Sequence, residues 1–200
     1  MVRGLLSLLI VLTLTGCSSY HIVKPERAVA SGQREAQPIP LSAGLRVTNQ
    51  QLTGGFSDMA PAFATRLNDA RTFNAVYYPT RADDKLDLLM DATFEGSFVV
   101  DEYLFPKAFM TGLLLFLPTP VVEYEHHYCA SGSLRVSDRS GRQLKTYEAR
   151  TDIPVRMKFL APITEVEREG VITATNDLVD QFIEQLSKDQ AFFSGLKPGS

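Results

Sequence analysis

From residue 88 onward the chain alternates with a period of two. Leu88, Met90, Ala92, Phe94, Phe98 and Val100 fall on one side, interrupted by Gly96, while Asp87, Asp91, Thr93, Glu95, Ser97 and Asp101 fall on the other. An alternation this long predicts a strand covered on one face and wetted on the other. A second strand with the same character follows at Tyr124, Tyr128, Ala130, Leu134 and Val136. Asp138-Arg139-Ser140-Gly141 reads as a turn, and Tyr147, Ala149, Ile153 and Val155 make a third long strand, with Pro154 marking an edge or an end.

The pattern on either side of these strands is helical. Met59, Phe63 and Leu67 recur at i, i+4 and i+8 beside Ala60, Ala64 and Ala70, after a Gly54-Gly55 break and a capping pair at Ser57 and Asp58. Toward the C-terminus, Val171, Ala174, Leu178, Phe182 and Leu186 form one stripe of a helix over Ile163 to Lys188. Two shorter strands complete the set, one where Leu45 and Val47 alternate with Arg46 and Thr48, the other from Phe73 to Tyr78 before Pro79. The order strand–helix–strand–strand–strand–strand–helix predicts an α+β fold: an antiparallel sheet with two helices packed on one face.

The connection between the first two long strands breaks the rule that loops are polar. Residues 105–122 are apolar almost throughout, and Lys107 is the one charge among them. Phe105, Phe109, Met110, Leu113, Leu114, Leu115, Phe116 and Leu117 are its large side chains, and Pro118 and Pro120 interrupt it. At 15 uncharged residues from Ala108 to Val122 it is too short and too broken to span a bilayer. Either it folds back to complete the core, or it is a hairpin tip that something else covers. Asp101 and Glu102 lead into it and Glu123 and Glu125 lead out, so paired strands would set four carboxylates as a collar beneath the tip. A collar of that sign disfavours anionic headgroups, which ranks an envelope protein or a second copy of the chain ahead of lipid. The segment also lacks the apolar-out, polar-in alternation of a barrel wall, so a pore comes last.

The N-terminus carries the most specific signal. Arg3 precedes an uncharged run from Gly4 to Leu14, the length of a signal-peptide core and short of a membrane span. It ends in Leu14-Thr15-Gly16-Cys17, which resembles the lipobox of bacterial lipoproteins at all four positions. The resemblance implies cleavage before Cys17, a diacylglyceryl thioether on its sulfur and usually an acylated amine. Ser18 in the next position implies delivery to the outer membrane. Residues 1–16 are then the signal peptide and 17–43 a lipidated, Pro-containing tether of mixed charge. Residues 44–188 form the domain and 189–200 a tail.

Removal of the signal peptide leaves 184 residues, enough for one domain with a real core. Nineteen basic against 23 acidic side chains give that mature chain a net −4, a poor balance for binding nucleic acid. With Cys17 lipidated, Cys129 has no partner within the chain and is either a buried inert thiol or an intermolecular contact. Glu123, Glu125, His127 and Cys129 alternate along one strand face, but at ~6.6 Å between neighbours they spread too far to converge on one ion. Ser131-Gly132-Ser133 lacks the spacing of a nucleophile elbow, and neither a phosphate loop nor a helical His pair is present. No catalytic residue, metal or cofactor is expected.

The element order, with Phe63-to-Pro79 (FATRLNDARTFNAVYYP) joining helix to strand, is similar to a wider group of envelope proteins. The group includes the amino-terminal domain of the Tol-system propeller protein, the curli-secretion lipoprotein and auxiliary lipoproteins of lipid-transport systems. The resemblance implies a non-enzymatic assembly or partner-binding module.

Overall fold

The structure, a computed structural model, describes residues 20–25, 38–52, 59–81, 83–114, 122–158 and 161–196. The lipobox with Cys17, the Gly54-to-Asp58 break and cap, Leu115, Phe116, Leu117 and the two prolines after them lie outside the described residues.

Six strands form one sheet: β1 (Tyr20–Ile22), β2 (Ile39–Leu52), β3 (Phe73–Tyr77), β4 (Leu88–Val99), β5 (Glu123–Asp138) and β6 (Gln143–Lys158), in the spatial order β1-β6-β5-β4-β2-β3. Among the described residues four helices accompany them: α1 (Ala60–Asp69), α2 (Leu104–Leu113), α3 (Ile163–Lys188) and α4 (Gln190–Ser194). The class is α+β. The three long strands pair in sequence as an antiparallel meander, Phe94 opposite Gly132 and Gly132 opposite Ala149. Antiparallel pairing does not extend across the whole sheet, because β2 runs parallel to both β3 and β4. The β2–α1–β3 unit is a crossover, and a crossover returns the chain in the same direction.

Period-two alternation explains the core. Leu88, Met90, Ala92 and Phe94 of β4, Tyr124, Tyr128, Leu134 and Val136 of β5, and Tyr147, Ile153 and Val155 of β6 are all buried on one face. Helices α1 and α3 cover that face. Phe63 of α1 stacks on Phe182 of α3 with ring centroids 6.1 Å apart, and both meet Phe94 from the sheet at 5.9 and 6.2 Å. Gly132 is what lets Phe182 sit so low: a Cβ there would lie 3.1 Å from Phe182 Cζ and 3.2 Å from Phe94 Cδ1. The predicted α3 stripe of Val171, Ala174, Leu178, Phe182 and Leu186 is buried throughout. At the β5–β6 turn, Gly141 takes φ 85°, and the Asp138 carboxylate gathers Ser140 N–H at 3.0 Å, Ser140 Oγ at 2.6 Å and Arg142 N–H at 2.9 Å.

Two segments assigned from sequence to tether and tail belong to the body. Tyr20, His21 and Ile22 pair with Met157, Arg156 and Val155, and β2 begins at Ile39, five residues before the expected boundary at 44. Pro40 is tolerated because it falls in the irregular stretch of the β2–β3 ladder, before pairing with β4 starts at Ala43. At the other terminus, Phe193 of α4 is fully buried against Phe73, ring centroids 5.9 Å apart. Asp189, between α3 and α4, receives Tyr147 Oη–H at 2.8 Å and pairs with Lys145. Burial, with that hydrogen bond and the Asp189 charge, pushes the Tyr147 hydroxyl far above the ordinary tyrosine range.

The register fixes which ends of the strands lie together. Tyr20 lies opposite Met157, Met157 opposite Tyr124, and Glu123 opposite Lys158. The start of β1, the end of β6, the start of β5 and the end of β4 therefore share one end of the sheet. Helix α2 connects β4 to β5 at that same end.

Candidate functional site: the hairpin tip

Helix α2 forms because its apolar residues fall at helical spacing. Phe105, Phe109 and Leu113 are i, i+4 and i+8, with Met110 and Leu114 alongside. Pro106 sits in the first turn, where its missing N–H interrupts no helix bond. The Phe105 and Phe109 rings stack with centroids 6.4 Å apart.

This face is open. Phe105 is 80% exposed, Leu113 63%, Phe109 59%, Met110 54% and Leu114 48%. Tyr103, Val99 and Val100 next to it are exposed as well. The described part of the segment does not fold back under the sheet, whose apolar face α1 and α3 already cover. Full burial of each such side chain is worth ~1.5–3 kcal/mol, so covering the face would release several times thermal energy. Among the described residues no helix is long and apolar enough to cross a membrane.

The opposite side of α2 is polar and tied down. Lys107 turns inward, its Nζ 2.6 Å from Asp101 Oδ2 and 5.8 Å from the centre of the Tyr124 ring. Thr111 is buried and donates from Oγ1 to the Lys107 carbonyl at 2.8 Å. Asp101 also accepts from Tyr103 N–H at 2.7 Å and Glu125 N–H at 3.3 Å. The Lys107 ammonium, helped by those two amides against partial burial, holds the Asp101 carboxyl below its ordinary range.

Beneath Asp101 lies His126, buried, its ring 5.1 Å from that of Phe98. Its Nδ1 accepts from the Asp101 N–H at 3.1 Å, which makes it the neutral tautomer with the proton on Nε2. Nε2 is buried with no hydrogen-bond partner among the described residues. Burial lowers the pKa of this imidazole.

The expected carboxylate collar is therefore half spent. Asp101 neutralises Lys107, and Glu125 lies 3.7 Å from Arg156 Nη2, whereas Glu102 and Glu123 face water. The collar repels anions less than four bare charges would.

On the open sheet face, His127 and Cys129 meet a residue that sequence reading did not single out. Asp152 of β6 lies opposite Cys129, its Oδ1 2.8 Å from His127 Nδ1 and 3.9 Å from Cys129 Sγ. Burial and the neighbouring carboxylate push the Cys129 thiol up, so it stays protonated and poorly nucleophilic near neutrality. Among the described residues no group of three His, Cys, Asp or Glu side chains converges as a metal site. The pair Asp101–Lys107 was within reach of sequence reasoning, since Lys107 is the lone charge of an apolar helix and Asp101 is an acid just ahead of it. Asp152 was not, because its partnership depends on the β5–β6 register.

No family model matches the chain, and no curated protein matches it. Among solved structures it is similar to a minor lipoprotein from Acinetobacter baumannii, at 9% identity over 78% of this chain and 94% of that one, TM-score 0.46. It is also similar to an uncharacterized lipoprotein B from Nitrosomonas europaea, at 13% identity over 80% and 91%, TM-score 0.41. A third is the rare lipoprotein B from Shewanella oneidensis, at 12% identity over 74% and 91%, TM-score 0.32. All three scores lie below 0.5.

Proposed function

We propose that this chain is a non-catalytic bacterial envelope lipoprotein that works as a tethered contact module. The lipid on Cys17 holds it to the outer membrane, facing the periplasm, and the apolar hairpin tip is the surface through which it acts. The lipobox Leu14-Thr15-Gly16-Cys17 with Ser18 behind it supports the mooring. The observation that carries the contact role is the open apolar face of α2, built on a base in which Lys107, the one charge of residues 105–122, is already neutralised. A surface of this kind is retained at a cost in solubility unless it is covered in use. The side chains that could do chemistry are engaged otherwise: His127 with Asp152, Glu125 with Arg156, Asp101 with Lys107.

Two measurements test this. Intact mass of the chain recovered from cells should place acyl groups on Cys17, with the protein in the outer-membrane fraction; a soluble chain with an unmodified Cys17 would overturn the mooring. A photocrosslinker at Phe109 or Leu114 in intact cells should form adducts. None forming would overturn the contact role.

A further inference from the structure

We infer that α2 is a second membrane anchor, its exposed face seated in the same leaflet that holds the acyl chains of Cys17. The inference rests on the lipoprotein reading above and names what covers the tip.

The placement of β1 carries it. Tyr20, three residues beyond Cys17, is paired into the sheet at the end where α2 sits. Three residues, even fully extended, reach no more than ~11 Å. Acyl chains on Cys17 would therefore hold the bilayer surface against that end of the sheet, not at the end of a 26-residue tether. Across the sheet, β1 and β4 are separated by β6 and β5, or ~14 Å at the usual strand spacing. A lipid-anchored N-terminus and an open apolar helix thus occupy neighbouring ground. The gap left between bilayer and sheet is narrower than a folded domain, whose radius of gyration alone is ~13 Å for 100 residues. That reverses the order expected from sequence, where a protein partner came ahead of lipid.

The chemistry of α2 fits the site. At ten residues it is ~15 Å long, half the thickness of a hydrocarbon core, so it can lie in the interface but not cross. Interfacial helices bury an apolar face to a depth of ~5–10 Å, and Phe105, Phe109 and Leu113 supply one. Lys107, directed at Asp101 on the other side, would not be dragged into the hydrocarbon. Ile163, exposed where α3 begins after β6, adds a further apolar side chain at this end. Charges of both signs stand at this end, Glu102, Glu123 and Glu165 beside Arg156 and Lys158, so the surface suited to it is zwitterionic.

The experiment uses the full lipidated chain, purified and reconstituted into phosphatidylcholine vesicles, with Cys129→Ser removing the native thiol. An environment-sensitive fluorophore is attached through Phe109→Cys, or through Arg139→Cys in the turn at the opposite end of the sheet as control. The expected result is that a quencher carried on lipid acyl chains dims the probe at 109 and spares that at 139, while aqueous iodide does the reverse, each contrast severalfold. Equal iodide quenching at both positions would overturn the inference, because the tip would then stand in water. Protection of the probe at 109 from both quenchers would overturn it too, as the signature of burial against a second copy. Intact mass of the same sample separates the two levels: without acyl groups on Cys17 the mooring itself fails, whereas an acylated chain whose tip stays in water loses only the anchor role of α2.

Discussion

Two stacked phenylalanine pairs in this molecule look alike and do opposite things. Phe63 and Phe182 stack at 6.1 Å and Phe105 and Phe109 at 6.4 Å, yet the first pair is at most 1% exposed and the second 80% and 59%. The difference is not in the rings but in what lies over them. Phe63 and Phe182 come from two helices that close on the sheet, and Gly132 clears the floor for them. Phe105 and Phe109 come from one helix on the far side of a turn, with the polar Lys107–Asp101 base between them and the body. Hydrophobicity along a sequence marks surface that must be covered; only the fold tells whether the chain covers it itself.

That contrast can be broken by mutation. The largest effect is expected for Phe182→Ala, which empties the centre of the aromatic cluster and should cost about 3–5 kcal/mol in denaturant unfolding. Gly132→Ala should cost less, about 1–3 kcal/mol, because its methyl meets Phe182 and Phe94 at 3.1–3.2 Å and one ring must shift. Either variant behaving like the native chain would mean the cluster is not the centre of the core.

Acid sharpens the comparison at the base of the tip. His126 is held neutral and Asp101 ionised, and both have pKa values lowered from 6.5 and 3.8 respectively. Their contribution is present above those unfolded values and is lost as pH falls through the lower folded ones, His126 first. Protonation at Nδ1 would also set two donors, the new N–H and the Asp101 N–H, against each other. Stability should therefore decline as the pH falls from about 6.5 through the interval below it. His126→Asn, whose Oδ1 can still accept from Asp101, should flatten that decline in thermal unfolding measured across the interval. An undiminished slope would place the titration elsewhere.

The smallest expected effect on stability is at the tip itself. Phe105→Ser and Phe109→Ser should each move unfolding by no more than about 0.5 kcal/mol, since the body does not bury these rings. A loss near that of Phe182→Ala would show that the domain depends on them.

Much of the body was readable from periodicity. The α3 stripe and the alternation in β5, β6 and β4 as far as Phe94 turned into buried faces because packing against a single sheet leaves each position one choice, whereas Phe98 is only partly buried and Val100, expected on the covered face, is exposed. What escaped was of three kinds. β1 has three residues, too few for any period to register, and α4 buries Phe193 from a segment that reads as a tail. The direction of β2 is not written in its own alternation but in the helix that follows it. The base of the tip, finally, was visible as isolated charges: the pairing of Lys107 with Asp101 was within reach, whereas that of Glu125 with Arg156 depended on the β5–β6 register. The open face of α2 was half readable: its apolar character stood in the sequence, its exposure did not.

The most direct test compares methionines in untreated outer membranes. Met59 and Met90 are core residues at 1% exposure, and Met110 on α2 stands 54% open to anything outside the chain. Under chloramine-T, a water-borne oxidant, Met110 should oxidise as slowly as Met59 and Met90 if its face is covered in place. Oxidation of Met110 at the rate of an open thioether, with Met59 and Met90 intact, would contradict the claim that something beyond the chain covers the tip.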